Sequence, residues 1–542
     1  TVKFQNFFSD QQSVLLCSEQ AISEVGYDRS VIHYPVKFSN EEYVTALLSA
    51  KDRGTFLIGT NQNLYLYKNN LLSKILPDKL SCKVTAIIKA NDNNFWAATS
   101  QGIFVINPDD NNDYFHIQPD KNIREGISSL SVTALHQTSN NQIWIGTEHN
   151  GINVFDPVAS RFKFVSVSSA ENSSKENVVW GIHAMSEKSI WIGVDDGLME
   201  LTFSHPISMI IRDEAVNWKY TVKRLYPDKI KQRVSDIFVD DKQRVWITTS
   251  GDGIYRLLLS SGIMKHYEAD TSKGCKITDN VLYHISPGNS GELYFSTRNG
   301  VTHYRAENES FQCVLPSSFI PEFNNFVLNT YWSSSRFILY ICQAHGLSAF
   351  QPDSNKLIHY KYNENDSSSL SFPIVSSVCE DHNGNLWVST LGGGICGWDE
   401  KLNRFFKIGK EQGLTDEVVY TLVPDQKKKI WFSTNTSVGA LDPFTNQVMM
   451  YPMTDVFSGT EFSQNSFHRT PTGNILFGGT GGFVMFHPDQ FLQPDVESPL
   501  ILSDIKLNFR DVSLRDTVAI LGSFNYPEKI LMNPGIRSVF FE

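Results

Sequence analysis

The sequence predicts an all-β chain: tandem β-propellers of the seven-bladed type, built from four-stranded blades, followed by the start of an Ig-like β-sandwich. The first observation is a repeated apolar strand ending in a small polar turn. Ile143-Trp144-Ile145-Gly146-Thr147 has close copies at Ile190–Val194, Val245–Thr249, Leu386–Thr390 and Ile430–Thr434. Weaker copies fall at Thr55–Thr60, Phe95–Thr99, Leu293–Thr297, Phe337–Ile341, Ile475–Gly479 and, most degenerate, Ser13–Ser18. The second is the spacing: between Ser18 and Gly479 the copies recur at intervals of 39 to 55 residues, a period that marks a repeat architecture. The third is that each unit holds four short runs rich in β-branched and aromatic residues, the pattern of a propeller blade.

The unit opening at Val132 shows the four elements in order. Val132–His136 reads as the first strand, Ile143–Thr147 as the second, Ile152–Phe155 as the third and Phe162–Val167 as the fourth. Polar, turn-forming residues join the first two strands, as in Asp381-His382-Asn383-Gly384-Asn385, where Asn-Gly supplies the positive φ values of a tight hairpin. The tryptophan at the same strand position in several units (Trp144, Trp191, Trp246, Trp387, Trp431) is expected to fill the wedge between neighbouring blades; a sugar-stacking role would need only a few of them.

Eleven units exceed the four to eight blades of one ring. Counting back seven from the last copy places a complete second propeller at residues 169–490. Residues 1–168 then form about four blades of a first propeller whose earlier blades are absent, the chain opening at a blade boundary. Residues 491–542, beyond Pro488 and Pro494, change to the alternating pattern of a β-sandwich.

Composition sets limits on function. A net charge of −11 and the lack of any basic stripe with interleaved aromatics argue against a nucleic-acid partner. No apolar run approaches the roughly 18 residues of a membrane span. The seven cysteines are scattered, without CxxC or a histidine at ligand spacing, so neither a zinc site nor a redox pair is expected; Cys17, Cys342, Cys379 and Cys396 fall on strands, as small buried apolar residues do.

The unit V-x-x-I/L, D-x-x-G-x-I/L-W-I/V-G/S-T, x-x-G-I/L, D-P resembles the two-component regulator propeller repeat. The likeness is carried by Val132–Pro157, Val234–Tyr255, Val375–Asp399 and Val418–Pro443, and by the closing copy from Phe462-Ser463-Gln464-Asn465-Ser466 to Gly482–Pro488. That family implies the extracytoplasmic sensor region of a Bacteroides-type hybrid two-component system: two seven-bladed propellers, then a Tyr-rich β-sandwich leading to the membrane. It also implies an oligosaccharide ligand from host or dietary glycans, a periplasmic region of an inner-membrane protein, and a homodimer. The full-length chain would be a histidine kinase that activates polysaccharide-utilisation genes. This chain departs from the family in lacking about three N-terminal blades and the membrane, kinase and regulator segments.

Residue patterns for catalysis do not appear. Asp240-Asp241 is turn chemistry and Asp195-Asp196 could face the ring mouth, but neither forms a glycosidase pair with an evident partner. There is no HExxH, nucleophile motif or phosphate-cradling loop; Gly392-Gly393-Gly394 precedes a strand, not a helix. No cofactor, metal site or catalytic residue is therefore assigned. A polysaccharide lyase or glycosidase and a protein-interaction scaffold stay as alternatives to a glycan sensor.

Ligand-binding candidates follow from blade geometry, because the turns between second and third strands share a face with the starts of first strands. They are His149, Asp195, Asp252, Arg298, Asn299 and His345 on the turns, with Asn150 and Asp196 beside them. Trp180, Tyr283 and Trp332, together with Asn329 and Tyr420, are read as opening first strands. Aromatic planes with Arg, Asn and Asp suit a sugar, and Arg298 could meet a carboxylate or sulfate. His136 and His183 read as ordinary strand histidines. The aromatic insertion Val216–Tyr220 suggests an inter-domain contact or a ligand lid.

Overall fold

The computed structural model describes strands at 6–9, 13–17 and 21–26 and then residues 30–491, apart from 39–40, 50–53, 77–78, 91–93, 108–113, 120–125, 139–140, 168–176, 213–215, 217, 270–275, 315–325 and 454–460. Beyond these it describes strands at Ile505–Leu507, Arg510–Asp511, Val518–Gly522, Pro527–Met532 and Val539–Phe541. The chain forms two compact units, one of Val158–Leu492 and one of Thr1–Pro157 with Gln493–Glu542.

Unit Val158–Leu492 is a closed ring of seven four-stranded antiparallel sheets. Their first strands are Gly181–Ser186, Val234–Val239, Leu282–Pro287, Val327–Ser333, Val375–Glu380, Thr421–Pro424 and Phe462–Arg469, which define blades 1 to 7. Each first strand packs on the next, and Phe462–Arg469 packs on Gly181–Ser186, which closes the circle. The seventh sheet takes its fourth strand from the other end of the unit: Lys163–Ser166 pairs antiparallel with Gly482–Phe486, Lys163 opposite Met485 and Ser166 opposite Gly482.

That pairing corrects the assignment of Phe162–Val167 to the Val132 blade. The sheet of Val132–Gln137, Ile143–Thr147 and Ile152–Phe155 has three strands. Sequence periodicity identifies a strand but not its partner. Here the apolar contacts select blade 7, where Phe162 meets Phe486 and Phe491 at ring-centroid distances of 5.0 and 4.7 Å.

The repeat signature has a local physical cause. In the hairpin of blade 6, Asp425 Oδ1 accepts from the backbone N–H of Lys427 (2.7 Å) and Lys429 (2.9 Å), and Oδ2 accepts from Trp431 Nε1 (2.8 Å). Asp381 does the same for Asn383, Asn385 and Trp387, and Asp240 for Lys242, Arg244 and Trp246. One carboxylate thus shapes the turn and satisfies the indole N–H that the blade wedge buries. At the other end of the second strand, the threonine hydroxyl donates across the turn, as Thr390 Oγ1 does to the Gly394 carbonyl at 2.9 Å. Gly394 has φ +76°, and a Cβ there would sit 2.6 Å from the Ile408 carbonyl, so glycine is required.

The long interval in blade 1 reflects a helix, Ile207–Arg212, whose Ile207, Ile210 and Ile211 are buried in the core shared by blades 1 and 7. Trp218 stacks on Tyr220 at 5.8 Å and lies against Phe203 at 6.1 Å, and Tyr220 Oη donates to the Ser166 carbonyl of blade 7 at 2.7 Å, so these rings pack on the core between blades 1 and 7 rather than serving as a lid.

In the other unit, four consecutive sheets have first strands Asn6–Ser9, Val44–Ser49, Val84–Lys89 and Val132–Gln137, each packed on the next. The C-terminal strands form two small antiparallel sheets, one of Ile505–Leu507, Arg510–Asp511 and Val539–Phe541, the other of Val518–Gly522 and Pro527–Met532.

Cys17, Cys82, Cys342, Cys379 and Cys396 are buried and free. Burial pushes the Cys17 thiol up to about 12, so it is inert at neutral pH. Cys313 is disulfide-bonded.

Candidate functional site at the ring mouth

In each blade the start of the first strand pairs with the end of the second, as Val234 does with Thr249 and Leu282 with Thr297. First-strand starts and second-to-third turns therefore gather on one rim. Among the described residues, Trp180, Tyr283 and Tyr420 stand there, each with charged neighbours.

The first is Trp180. Its Nε1 donates to Asp195 Oδ1 (3.0 Å), and the Arg233 guanidinium lies 4.2 Å from the ring centroid. Arg233 closes the triangle, donating to the same Asp195 oxygen through Nε at 2.9 Å. One indole face is capped by a cation whose charge is already matched, a rigid arrangement in which cation–π attraction and a charge-assisted bond reinforce each other. Next door, Asp196 is tied to Arg224 at 2.8 Å.

The second is Tyr283, whose ring meets Phe326 at 5.1 Å, edge to face. Arg298 and Asp279 are its charged neighbours. Arg298 is forked onto Asp279, with Nε to Oδ2 at 3.1 Å and Nη2 to Oδ1 at 3.4 Å. The third is Tyr420, whose hydroxyl donates to Asn435 Oδ1 at 2.8 Å, with Asp416 and Glu461 as charged neighbours.

Asp252 belongs to a different arrangement. It accepts from Tyr255 Oη (2.5 Å), and its carbonyl accepts from His266 Nε2 (2.5 Å), while the His266 and Tyr255 rings stack at 4.2 Å. Ligand atoms of Asp252, His266 and Glu268 lie within 4.8 Å of one another. The same staple recurs at His116, which donates to the Gln101 carbonyl at 2.8 Å and stacks on Phe104 at 3.9 Å. Its recurrence identifies a way of tying the fourth strand to the turn.

Two predicted residues are not on this rim. Trp332 is the sixth residue of Val327–Ser333 and lies near the opposite end of its strand; it stacks on Tyr294 at 5.7 Å and donates to Asn289 Oδ1 at 3.0 Å. Repeat register located its strand but not its position along it. His149 is exposed on the turn after Thr147, in the other unit. Asn299 and His345 are exposed on the turns of blades 3 and 4. Asn329 is 3% exposed and is engaged by Asn465 of blade 7.

The axis itself is bridged. Blade 7 pairs Phe462 with Gly479 and then Phe467 with Phe477, so residues 463–466 bulge inward. Asn465 accepts from Asn329 Nδ2 at 2.8 Å and donates to the Leu328 carbonyl at 2.7 Å, joining blade 7 to non-adjacent blade 4. Phe467 stacks on His284 at 5.9 Å, and His468 lies 4.2 Å from His183. Burial holds these imidazoles neutral: His183 and His284 fall to about 4 and His468 to about 3, while burial lifts Asp236 to about 7.

Sequence reasoning missed Arg233, Phe326 and Glu461. Each immediately precedes the first strand's opening apolar residue (Val234, Val327, Phe462), so extending the register by one position finds them. The bulge had a signal too: Phe462 stands 17 positions before Gly479, against 15 from Val234 to Thr249. A separate cavity of about 280 Å³, lined by residues including His382, Lys427, Lys428, Lys429 and Phe444, is formed by turns of the opposite face.

A family model for the two-component regulator propeller matches residues 126–149 and 369–392. Histidine kinase P4 of Formosa agariphila is 24% identical over 437 residues, covering 78% of this chain and 30% of that protein. The chain thus spans less than a third of the curated relative it matches. Among solved structures, the extracellular domain of a hybrid two-component system from B. thetaiotaomicron shares the fold, with a TM-score of 0.60 and 20% identity over 99% of this chain and 66% of that one. The extracellular domain of a B. thetaiotaomicron one-component system aligns over 97% of this chain and 69% of its own, at a TM-score of 0.47 and 17% identity.

Proposed function

We propose that this chain, carrying two-component regulator propeller repeats and folded like the extracellular domain of a hybrid two-component system, is the periplasmic sensor region of a membrane-anchored histidine-kinase receptor, and that it binds an oligosaccharide at the mouth of the Val158–Leu492 ring. The observation that carries the reading is the rim itself. It holds Trp180, Tyr283 and Tyr420, each beside hydrogen-bonding charged or amide side chains, on a closed ring. Sugar rings offer apolar faces to such planes and hydroxyls to such donors and acceptors. The disulfide at Cys313 supports an extracytoplasmic location, because such bonds persist in oxidising compartments.

Signalling requires the ligand to have different affinities for two arrangements of the receptor, which here would be read out through the C-terminal strands and a dimer. Calorimetric titration with a panel of purified oligosaccharides, with product analysis of the same samples, tests the reading. Saturable binding without cleavage, lost in Trp180→Ala while the melting temperature is kept, is the expected result. Turnover of any glycan would replace the sensor by an enzyme.

A further inference from the structure

The charge pattern of the rim narrows the ligand class, an inference that rests on the oligosaccharide reading above. A site for a uronate or sulfate needs a cation whose charge is not already matched by a carboxylate, beside the plane on which the sugar stacks. Neither arginine beside these planes is such a cation. Arg233 donates through Nε and Nη2 to Asp195 Oδ1, both at 2.9 Å. Arg298 presents its fork to Asp279.

The second pair would be costly to open. Arg298 is 62% exposed, but Asp279 is only 12% exposed, and its Oδ1 is also held by the Val281 N–H at 2.9 Å. Turning Arg298 to an incoming anion would leave that carboxylate largely buried without its counter-charge. Around Tyr420 the sign is negative: Asp416 spends its oxygens on the N–H groups of Val418 and Asn435 (3.0 and 3.1 Å), and Glu461 is exposed. Glu417, beside them, is matched by Lys407 at 2.8 Å. A polyanion would meet two paired arginines and a net negative third station.

For a neutral sugar the same groups are suitable. Carboxylates that already hold an arginine keep lone pairs that accept from hydroxyls, and paired guanidinium groups still donate from their outer N–H.

We propose that the mouth selects uncharged oligosaccharides and rejects those bearing uronate or sulfate. The Asp195–Arg233 and Asp279–Arg298 pairs act as the specificity-determining elements, by keeping both arginines occupied.

The test is calorimetry of the full chain with size-matched neutral oligosaccharides, oligogalacturonides and sulfated heparin fragments, repeated on Asp279→Asn and Arg298→Ala after a thermal melt confirms folding. The expected result is wild-type binding within the neutral class alone. Asp279→Asn, which frees Arg298, should gain at least about tenfold in uronate affinity. Wild-type binding of an anionic class that Arg298→Ala abolishes would overturn the selectivity while leaving the sensor reading intact. Silence across all three classes would overturn the oligosaccharide reading, and this inference with it.

Discussion

The sheet of blade 6, which packs on the sheet that closes the ring, and the three-stranded sheet at Val132–Phe155 are built from the same repeat, yet they differ in burial. In the ring, Trp431 is 1% exposed, in a cluster with Phe162, Phe477, Phe486 and Phe491 completed by the distant strand Lys163–Ser166. Trp144, at the matching position, is 44% exposed, and Ile152 on the neighbouring strand is 64% exposed. The repeat therefore specifies a blade's strands and its tryptophan, whereas burial of that tryptophan depends on what packs beside the blade. Cohesion in such repeats lives largely at the interfaces between units.

The most disruptive way to break this comparison is to remove the borrowed strand. Deleting Lys163–Ser166 should abolish the cooperative unfolding transition of the ring, because it uncovers the Gly482–Phe486 edge and the Phe162 cluster together. Chemical denaturation followed by tryptophan fluorescence checks it. Next in size, Trp431→Ala should cost about 3–5 kcal/mol, the range for truncating a large buried aromatic. Trp144→Ala should cost under about 1 kcal/mol, as expected at an exposed position. Urea titrations of the two variants compare the sheets directly. Smaller again, Asp425→Ala removes one acceptor from two turn amides and from the buried Trp431 indole, and should cost on the order of 2 kcal/mol.

The gentlest probe is pH, because it acts on the axis of the closed ring. His183, His284 and His468 are depressed by burial to about 4, 4 and 3, so they stay neutral when folded but take up protons once unfolded below about pH 6.5. Their contribution is complete above that value and declines as the pH falls toward 4. Asp236, raised by burial to about 7, works the other way: it favours the fold at low pH and loses that contribution as the pH rises through 7. Three groups against one give a net loss of stability on acidification, measured as a lower urea midpoint at about pH 5 than at pH 7.

The blades were legible in the sequence because their causes are local: Asp425, Lys429 and Trp431 are near neighbours along the chain, as are Thr390 and Gly394. What the sequence concealed is non-local. The partner of Lys163–Ser166 lies more than 300 residues away, and the Asn329–Asn465 bridge spans 136. The candidate rim was half legible. Trp180, Asp195, Tyr283 and Arg298 fall on it as expected, but Trp332 does not, since a tryptophan outside the repeat position can equally be a second wedge between blades, here against Tyr294. That the two arginines would already be paired with Asp195 and Asp279 required coordinates.

The most direct test of the central claim, that the ring mouth holds the ligand, is hydrogen–deuterium exchange of the full chain with and without a saturating oligosaccharide found by titration. Protection concentrated at the segments containing Trp180, Asp195, Tyr283, Arg298 and Tyr420 is the predicted result. Protection confined to the opposite face, at Asp381–Asn385 and Lys427–Lys429, would contradict it.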